Sequence, residues 1–299
     1  MFFAFVAHKN SSSRTIAKAN NIDQQAAALE KAAALEPANT DILWVLAELR
    51  AGQKKIPEAL ALADQAIKIQ KAAGKAVDRS WYRRPLSYAY NAKLQPQSLK
   101  AASELFASSA DPKDRKDALM VYRQYGNLDH EGRIDVMRLM RSAKVLDDKD
   151  NILSFASSLA LRHYPAEAQA VLNEGVAAGR INASDPEIAG LIREVGAKIA
   201  EDKAALPGLV SKAQSDANGT LAFRVANGYF GHADYSKAAE LYRLSAQKGG
   251  PDKDTAQLRL GIALAMAGQN AEAEAALKAV SGNRSALASY WLAWLANRG

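Results

Sequence analysis

The sequence predicts an all-α protein built as a stack of antiparallel helix pairs, and three observations predict it. The stretch Val225-Ala-Asn-Gly-Tyr-Phe-Gly-His-Ala-Asp-Tyr-Ser-Lys-Ala-Ala-Glu-Leu-Tyr242 is echoed thirty-five residues later by Leu260-Gly-Ile-Ala-Leu-Ala-Met-Ala-Gly-Gln-Asn-Ala-Glu-Ala273. A unit of that period is too short to bury its own apolar face, so neighbours must share one core. Alanine, the best helix former, abounds, while long stretches lack the clustered Val, Ile and Thr of a sheet. No Pro/Gly/Ser-rich linker divides the 299 residues, which predicts one elongated body over 22–299 behind an N-terminal segment, 1–21, that is itself open to truncation.

Taken in order, residues 25–36 read as a helix that stops before Pro37, because the residue ahead of a proline is pushed out of helical geometry. Asn39-Thr40-Asp41 offers caps for the next helix, whose stripe of Ile42, Leu43, Val45, Leu46 and Leu49 runs to Gly52. Pro57 opens its partner, with Ala59, Leu60, Leu62, Ala63, Ala66, Ile67 and Ile69 inward. The pattern is irregular over 78–145, where Ser80 to Ala92 pairs with Ser98 to Ser108, and Arg115 to Tyr125 pairs with Ile134 to Val145. It sharpens at Ile152, Phe155 and Leu159, passes His163-Tyr164-Pro165 into Ala168, Val171 and Leu172, and loosens at Gly175 and Gly179. A second irregular stretch, 184–218, predicts a helix from Pro186 to about Ala205 and a shorter one from Pro207. Asn218-Gly219 marks a turn, the most regular units fill 219–282, and a helix over 285–298 with Trp291 and Trp294 caps the stack.

The net charge of +7 is concentrated in the middle of the chain, where residues 75–144 hold 14 basic and 8 acidic side chains. Arg83, Arg84 and Arg123 are the candidates there for binding an anionic polymer or an acidic partner. The plainer reading is a solvated helix face, since Asp111, Asp114, Asp117, Asp129, Glu131 and Asp135 are interleaved with the cations. The chain has no cysteine, which excludes disulfides, thiolate catalysis and cysteine-based zinc sites. That absence fits an oxidising periplasm, and nearly as well the cytoplasm. Met1 to Ala7 is apolar but too short to span a membrane and lacks a basic flank, so it is no complete signal peptide.

Small and aromatic residues recur at matching offsets in four units: Leu46, Ala59, Ala63 and Ala66; Ile152, Phe155, Leu159, Ala168 and Leu172; Tyr229, Ala238, Tyr242 and Ser245; Gly261, Ala273, Leu277 and Val280. This pattern resembles the tetratricopeptide repeat family, most of all over Leu221 to Val280, and in style the alanine-rich repeat proteins of the proteobacterial envelope. The resemblance implies a right-handed superhelix whose concave groove takes a peptide or protein partner. On that analogy Phe223, Asn227, Phe230, Leu258, Arg259 and Ile262 line the groove, Trp44 and Glu48 are their counterparts near the N-terminus, and Arg224 and Arg259 are available to a ligand carboxylate. Phe223 stands where carboxylate-clamping members carry a lysine, so that mode is not expected.

Nothing in the sequence suggests chemistry. The four histidines, His8, His130, His163 and His232, lie in or beside loops without metal-ligand spacing, and neither a phosphate loop nor a Gly-x-Ser-x-Gly elbow occurs. The expectation is a noncatalytic scaffold without cofactor or metal, not membrane-spanning, with nucleic acid an improbable partner. The alternative is an accessory module of an envelope or secretion assembly that uses the basic 75–144 region.

Overall fold

The computed structural model describes residues 21–250 and 252–298, and among these every regular element is a helix. Expectations about residues 1–20 lie outside the described residues. The chain divides into two compact units, one ending at Ser108 and the other beginning at Ser109, a boundary that no change in composition marks.

The N-terminal unit contains helical residues 21–35 (α1), α2 (Thr40–Gly52), α3 (Ile56–Ala72), α4 (Ser80–Asn91) and α5 (Gln95–Ser108). The predicted caps operate here: the Asn39 side chain accepts from the Ile42 amide, and Pro57 sits in the first turn of α3, where its missing N–H costs nothing. Pro96 likewise belongs to the first turn of α5, which therefore starts three residues before the expected Ser98. α2 packs on α3 and α4 on α5 as predicted, with Trp44, Ala47 and Ala63 at the centre of one cluster against Leu62 and Trp81.

The C-terminal unit runs through α6 (Pro112–Tyr125), α7 (His130–Ser142), α8 (Lys149–Leu161), α9 (Pro165–Ala177), α10 (Pro186–Ser215), α11 (Thr220–Gly231), α12 (Tyr235–Gln247), α13 (Lys253–Met266), α14 (Asn270–Lys278), a short 3-10 turn at Gly282–Arg284, and α15 (Ser285–Ala296). α6 and α7 begin earlier than their apolar stripes suggest because Asp111 and Asp129 cap them. α10 corrects the expected break at Pro207. It is one helix of 30 residues, about 45 Å long at the usual rise, with Pro207 inside it. A single proline removes one backbone hydrogen bond and crowds one carbonyl, and a helix held on both sides of that point continues through it. Here Ile188 and Val195 before it, and Leu206 and Ala213 beside and after it, are all buried. The C-terminal end of α10 is also held by Lys248, whose ammonium donates to the carbonyls of Ala213, Gln214 and Asp216.

Consecutive helices pack on one another through the C-terminal unit, the solenoid-like arrangement predicted, but its first helices also meet its last. α7 contacts α8, α13 and α15. The burial of α7 accounts for this: Ile134, Val136, Met137, Leu139 and Met140 cover more than half of its circumference, and Asp135 and Arg138 on the remaining arc are buried as well. α15 covers α14, the capping role expected, and its tryptophans face inward. Trp291 is fully buried, and Trp294 donates its indole N–H to the Ser142 carbonyl at 3.2 Å.

Candidate functional site

At the centre of the C-terminal unit, α7 presents Glu131, Asp135 and Arg138 at spacings of four and three, which align them on one face. Asp135 is fully buried and accepts from two arginines, Arg138 of its own helix at 3.0 Å and Arg259 of α13 at 2.9 Å. Arg138 in turn holds Glu167 of α9 through two bonds of 2.9 and 2.6 Å, a bidentate fork. Arg259 also donates to Glu131 at 2.6 Å and to the Asn227 amide oxygen at 2.9 Å. Asn227 also receives the Tyr242 hydroxyl at 2.7 Å and donates to the Phe223 carbonyl. Aromatic rings close the network from the side: Phe230 lies 4.5 Å from the Arg138 guanidinium and Phe223 lies 5.0 Å from that of Arg259. Burial alone lowers the pKa of these arginines, but Glu167 beside Arg138 and Asp135 beside Arg259 outweigh it and push both above the ordinary guanidinium range.

A second group of ion pairs adjoins the first. Asp129 and Asp252, the N-caps of α7 and α13, converge on Arg284, which reaches them at 2.7 and 3.5 Å and donates its Nε to Thr255 at 2.7 Å. The hydrogen bond from Arg284 holds the Asp129 carboxyl below its usual range. Burial pushes Asp252 and Glu131 upward, but Thr255 and Arg284 act on the former and Arg259 and Arg162 on the latter, and both end below the usual range.

Over this group lies a cleft of about 540 Å³, the candidate site. Its walls are Asp129 and Glu131 of α7, the Leu161-Arg162-His163-Tyr164 segment between α8 and α9, Phe223 and Arg224 of α11, Asp252 and Thr255 at the start of α13, and Arg284. Leu161 is 78% exposed there, and the largely buried Phe223 and Tyr164 border the cleft beside it.

These placements correct several expectations. Asn227, Phe230, Leu258, Arg259 and Ile262 do not face an open groove; all are buried, because α7 and α9 occupy the space their faces point into. Arg259 answers Asp135 and Glu131 and not a ligand. Of the predicted groove residues in this unit, Phe223 and its neighbour Arg224 border the cleft, Phe223 itself largely buried and Arg224 exposed. In the N-terminal unit Trp44 is buried against Trp81, and Glu48 is paired with Arg84. The interleaved acids are no simple solvated face either, since Asp114 and Asp135 are buried. Several cations of the basic middle region are paired: Lys100 with Asp64 and Glu104, Lys116 with Asp147, and Arg141 with Glu174. Arg123 donates to Asn151 at 2.5 Å, and Arg83 is half-buried on α4.

Among the described residues, no helix is long and apolar enough to cross a membrane, and no group of His, Asp and Glu is placed to hold a metal ion. The sequence reading missed Asp129, Glu131, Arg162, Asp252 and Arg284 as a set. The available signal was α7 itself, whose apolar residues cover more than half of its circumference while charges stand in line at 131, 135 and 138 on the rest. Compared with known proteins, the chain matches no family model, and no curated protein is significantly similar to it.

Proposed function

We propose that the C-terminal unit is a noncatalytic module that binds a peptide segment of another protein in the cleft between α7, the α8–α9 connection, α11 and α13. The observation that carries this reading is the composition of the cleft, an exposed leucine and two aromatic walls set on a frame whose charges already satisfy one another. Each lining carboxylate is committed to an arginine, and two of them also cap helices. Their pKa values are depressed, and a depressed carboxylate is a poor general base. A rigid frame with an apolar ledge suits recognition instead, since ordering the site on binding costs little.

The test is to place a photo-crosslinking residue at position 161 in the full chain, identify the peptide it captures in cells, and measure that peptide's affinity for the purified protein. Leu161→Asp is expected to weaken binding about tenfold, the worth of burying part of one leucine side chain. The control, Lys198→Ala on the exposed side of α10, should change nothing. A captured peptide that binds Leu161→Asp and the unaltered protein equally would sink the reading.

A further inference from the structure

The charges of the cleft identify what kind of peptide it takes. Its lining holds three arginines, Arg162, Arg224 and Arg284, and three carboxylates, Asp129, Glu131 and Asp252. Arg284 is bound to Asp129 and Asp252. Arg162 is paired with Glu131 at 3.1 Å, and Glu131 also receives Arg259. On the acidic side, one oxygen of Asp129 is spent on the Gly132 amide, and one of Asp252 on the amides of Asp254 and Thr255. Arg224 is different: it lies exposed on α11, faces the cleft, and has no hydrogen-bond or ion-pair partner among the described residues. Among the arginines and carboxylates of the lining, the one left without a partner is therefore a cation, and it shares the cleft with the exposed Leu161.

We infer that the cleft selects a peptide segment bearing one acidic side chain beside an apolar residue, with Arg224 taking the carboxylate and Leu161 the apolar group. With the lining carboxylates and the other two arginines paired, a single free cation is left, too little to answer a dianionic phosphate or a polyanion. A cationic segment fares no better, since the acids are already neutralised and Arg224 repels it. A single carboxylate met by a guanidinium fork matches the surplus of one charge.

This inference rests on the peptide-binding reading, and the experiment separates the two. Hexapeptide pools, acetylated and amidated so that no terminal charge contributes, carry Leu at one position and Glu, Gln, Lys or phosphoserine at a neighbouring one. Retention of each pool is measured on the immobilised full chain. The Glu pool is expected to be retained roughly three- to fivefold better than the Gln pool, the scale of a partly exposed ion pair. Arg224→Gln should erase that difference, Arg224→Glu should transfer the preference to the Lys pool, and Leu161→Ala should lower the Glu and Gln pools alike. Because both positions are exposed, the variants should melt with the unaltered protein, which circular dichroism checks. Equal retention of Glu and Gln pools, both lowered by Leu161→Ala, would leave peptide binding standing and overturn the charge selection. Preference for the phosphoserine pool would overturn it as well. Retention of no pool would remove the peptide-binding reading itself.

Discussion

In the N-terminal unit Trp44 stacks on Trp81 with ring centroids 4.5 Å apart and planes 5° from parallel, while at the centre of the C-terminal unit Asp135 lies between two buried arginines. The first contact joins neighbouring pairs, α2 and α4, through apolar area. The second joins helices far apart in the chain: Arg259 to Asp135 and Arg284 to Asp129 span separations of 124 and 155 residues. The difference teaches what each kind of contact is for. Apolar area stabilises but discriminates poorly between one neighbour and another, which suffices where the next helix in sequence is also the next in space. Buried ion pairs add little net stability over apolar packing, yet an unmatched partner is costly, so they favour one docking of α7 against α13 over others.

The largest effect should come from breaking that match. Asp135→Ala leaves Arg138 and Arg259 buried without their shared acid and is expected to destabilise the C-terminal unit by about 3–5 kcal/mol. With Trp44 and Trp81 changed to Phe, the remaining tryptophans, Trp291 and Trp294, report this unit alone in urea titrations. A loss under about 1 kcal/mol would break the comparison. Replacing Asp135, Arg138, Glu167 and Arg259 together by Leu and Met sharpens it, because stability should return toward the unaltered level while the specific pairing is gone.

Trp44→Ala is next, at about 3 kcal/mol, through loss of buried area and of the stacked partner. It should move the unfolding of the N-terminal unit and leave fluorescence from Trp291 and Trp294 unchanged. Gly261→Ala follows at about 1–2 kcal/mol, since a β-carbon there would stand 2.6 Å from the Leu277 Cγ where α13 and α14 approach closely. Gly261→Ala unfolding at the unaltered urea midpoint would show that α14 yields.

Acid should act on the two units unequally. Asp and Glu carboxyls ordinarily titrate near 3.8 and 4.5, and Asp129, Asp252 and Glu131 all lie lower in the folded protein. Between the folded and unfolded values the unfolded chain binds more protons, so their contribution is complete above the unfolded values and disappears as pH falls through the folded ones. The urea midpoint of the C-terminal unit is expected to be flat from neutrality to about pH 5 and to decline below about pH 4.5. Solvent screens these partly exposed groups, so the decline at pH 4 should be smaller than the glycine effect. In the N-terminal unit burial raises Asp64, but Lys100 and Lys68 outweigh it and hold it below the usual range, and its decline should be shallower. Parallel curves for the two units would contradict the contrast in their charge content.

Much of the helix order was legible because caps and apolar periodicity are local. Asn39, Pro57, Pro165 and the turn at Asn218-Gly219 punctuate the structure as they do the sequence. Pro207 misled because its cost, one backbone bond, is local while the burial that carries α10 past it comes from α9 and α11. The candidate site was legible only at Phe223 and Arg224. Its other walls come from α7, α13 and the α8–α9 connection, and local periodicity does not show that Asp129 meets Arg284.

The smallest effect concerns the cleft. Leu161 is 78% exposed and Arg224 is exposed without an ion pair, so neither contributes apolar burial or charge compensation to the folded unit. Leu161→Ala and Arg224→Gln are each expected to shift stability by no more than about 0.5 kcal/mol. That makes them the reverse of Asp135, which is central to the frame and faces no ligand. If thermal melts show that Leu161→Ala destabilises by 2 kcal/mol or more, on the order of a core truncation, the leucine packs against the unit, and the division between a charged frame and a free apolar ledge fails.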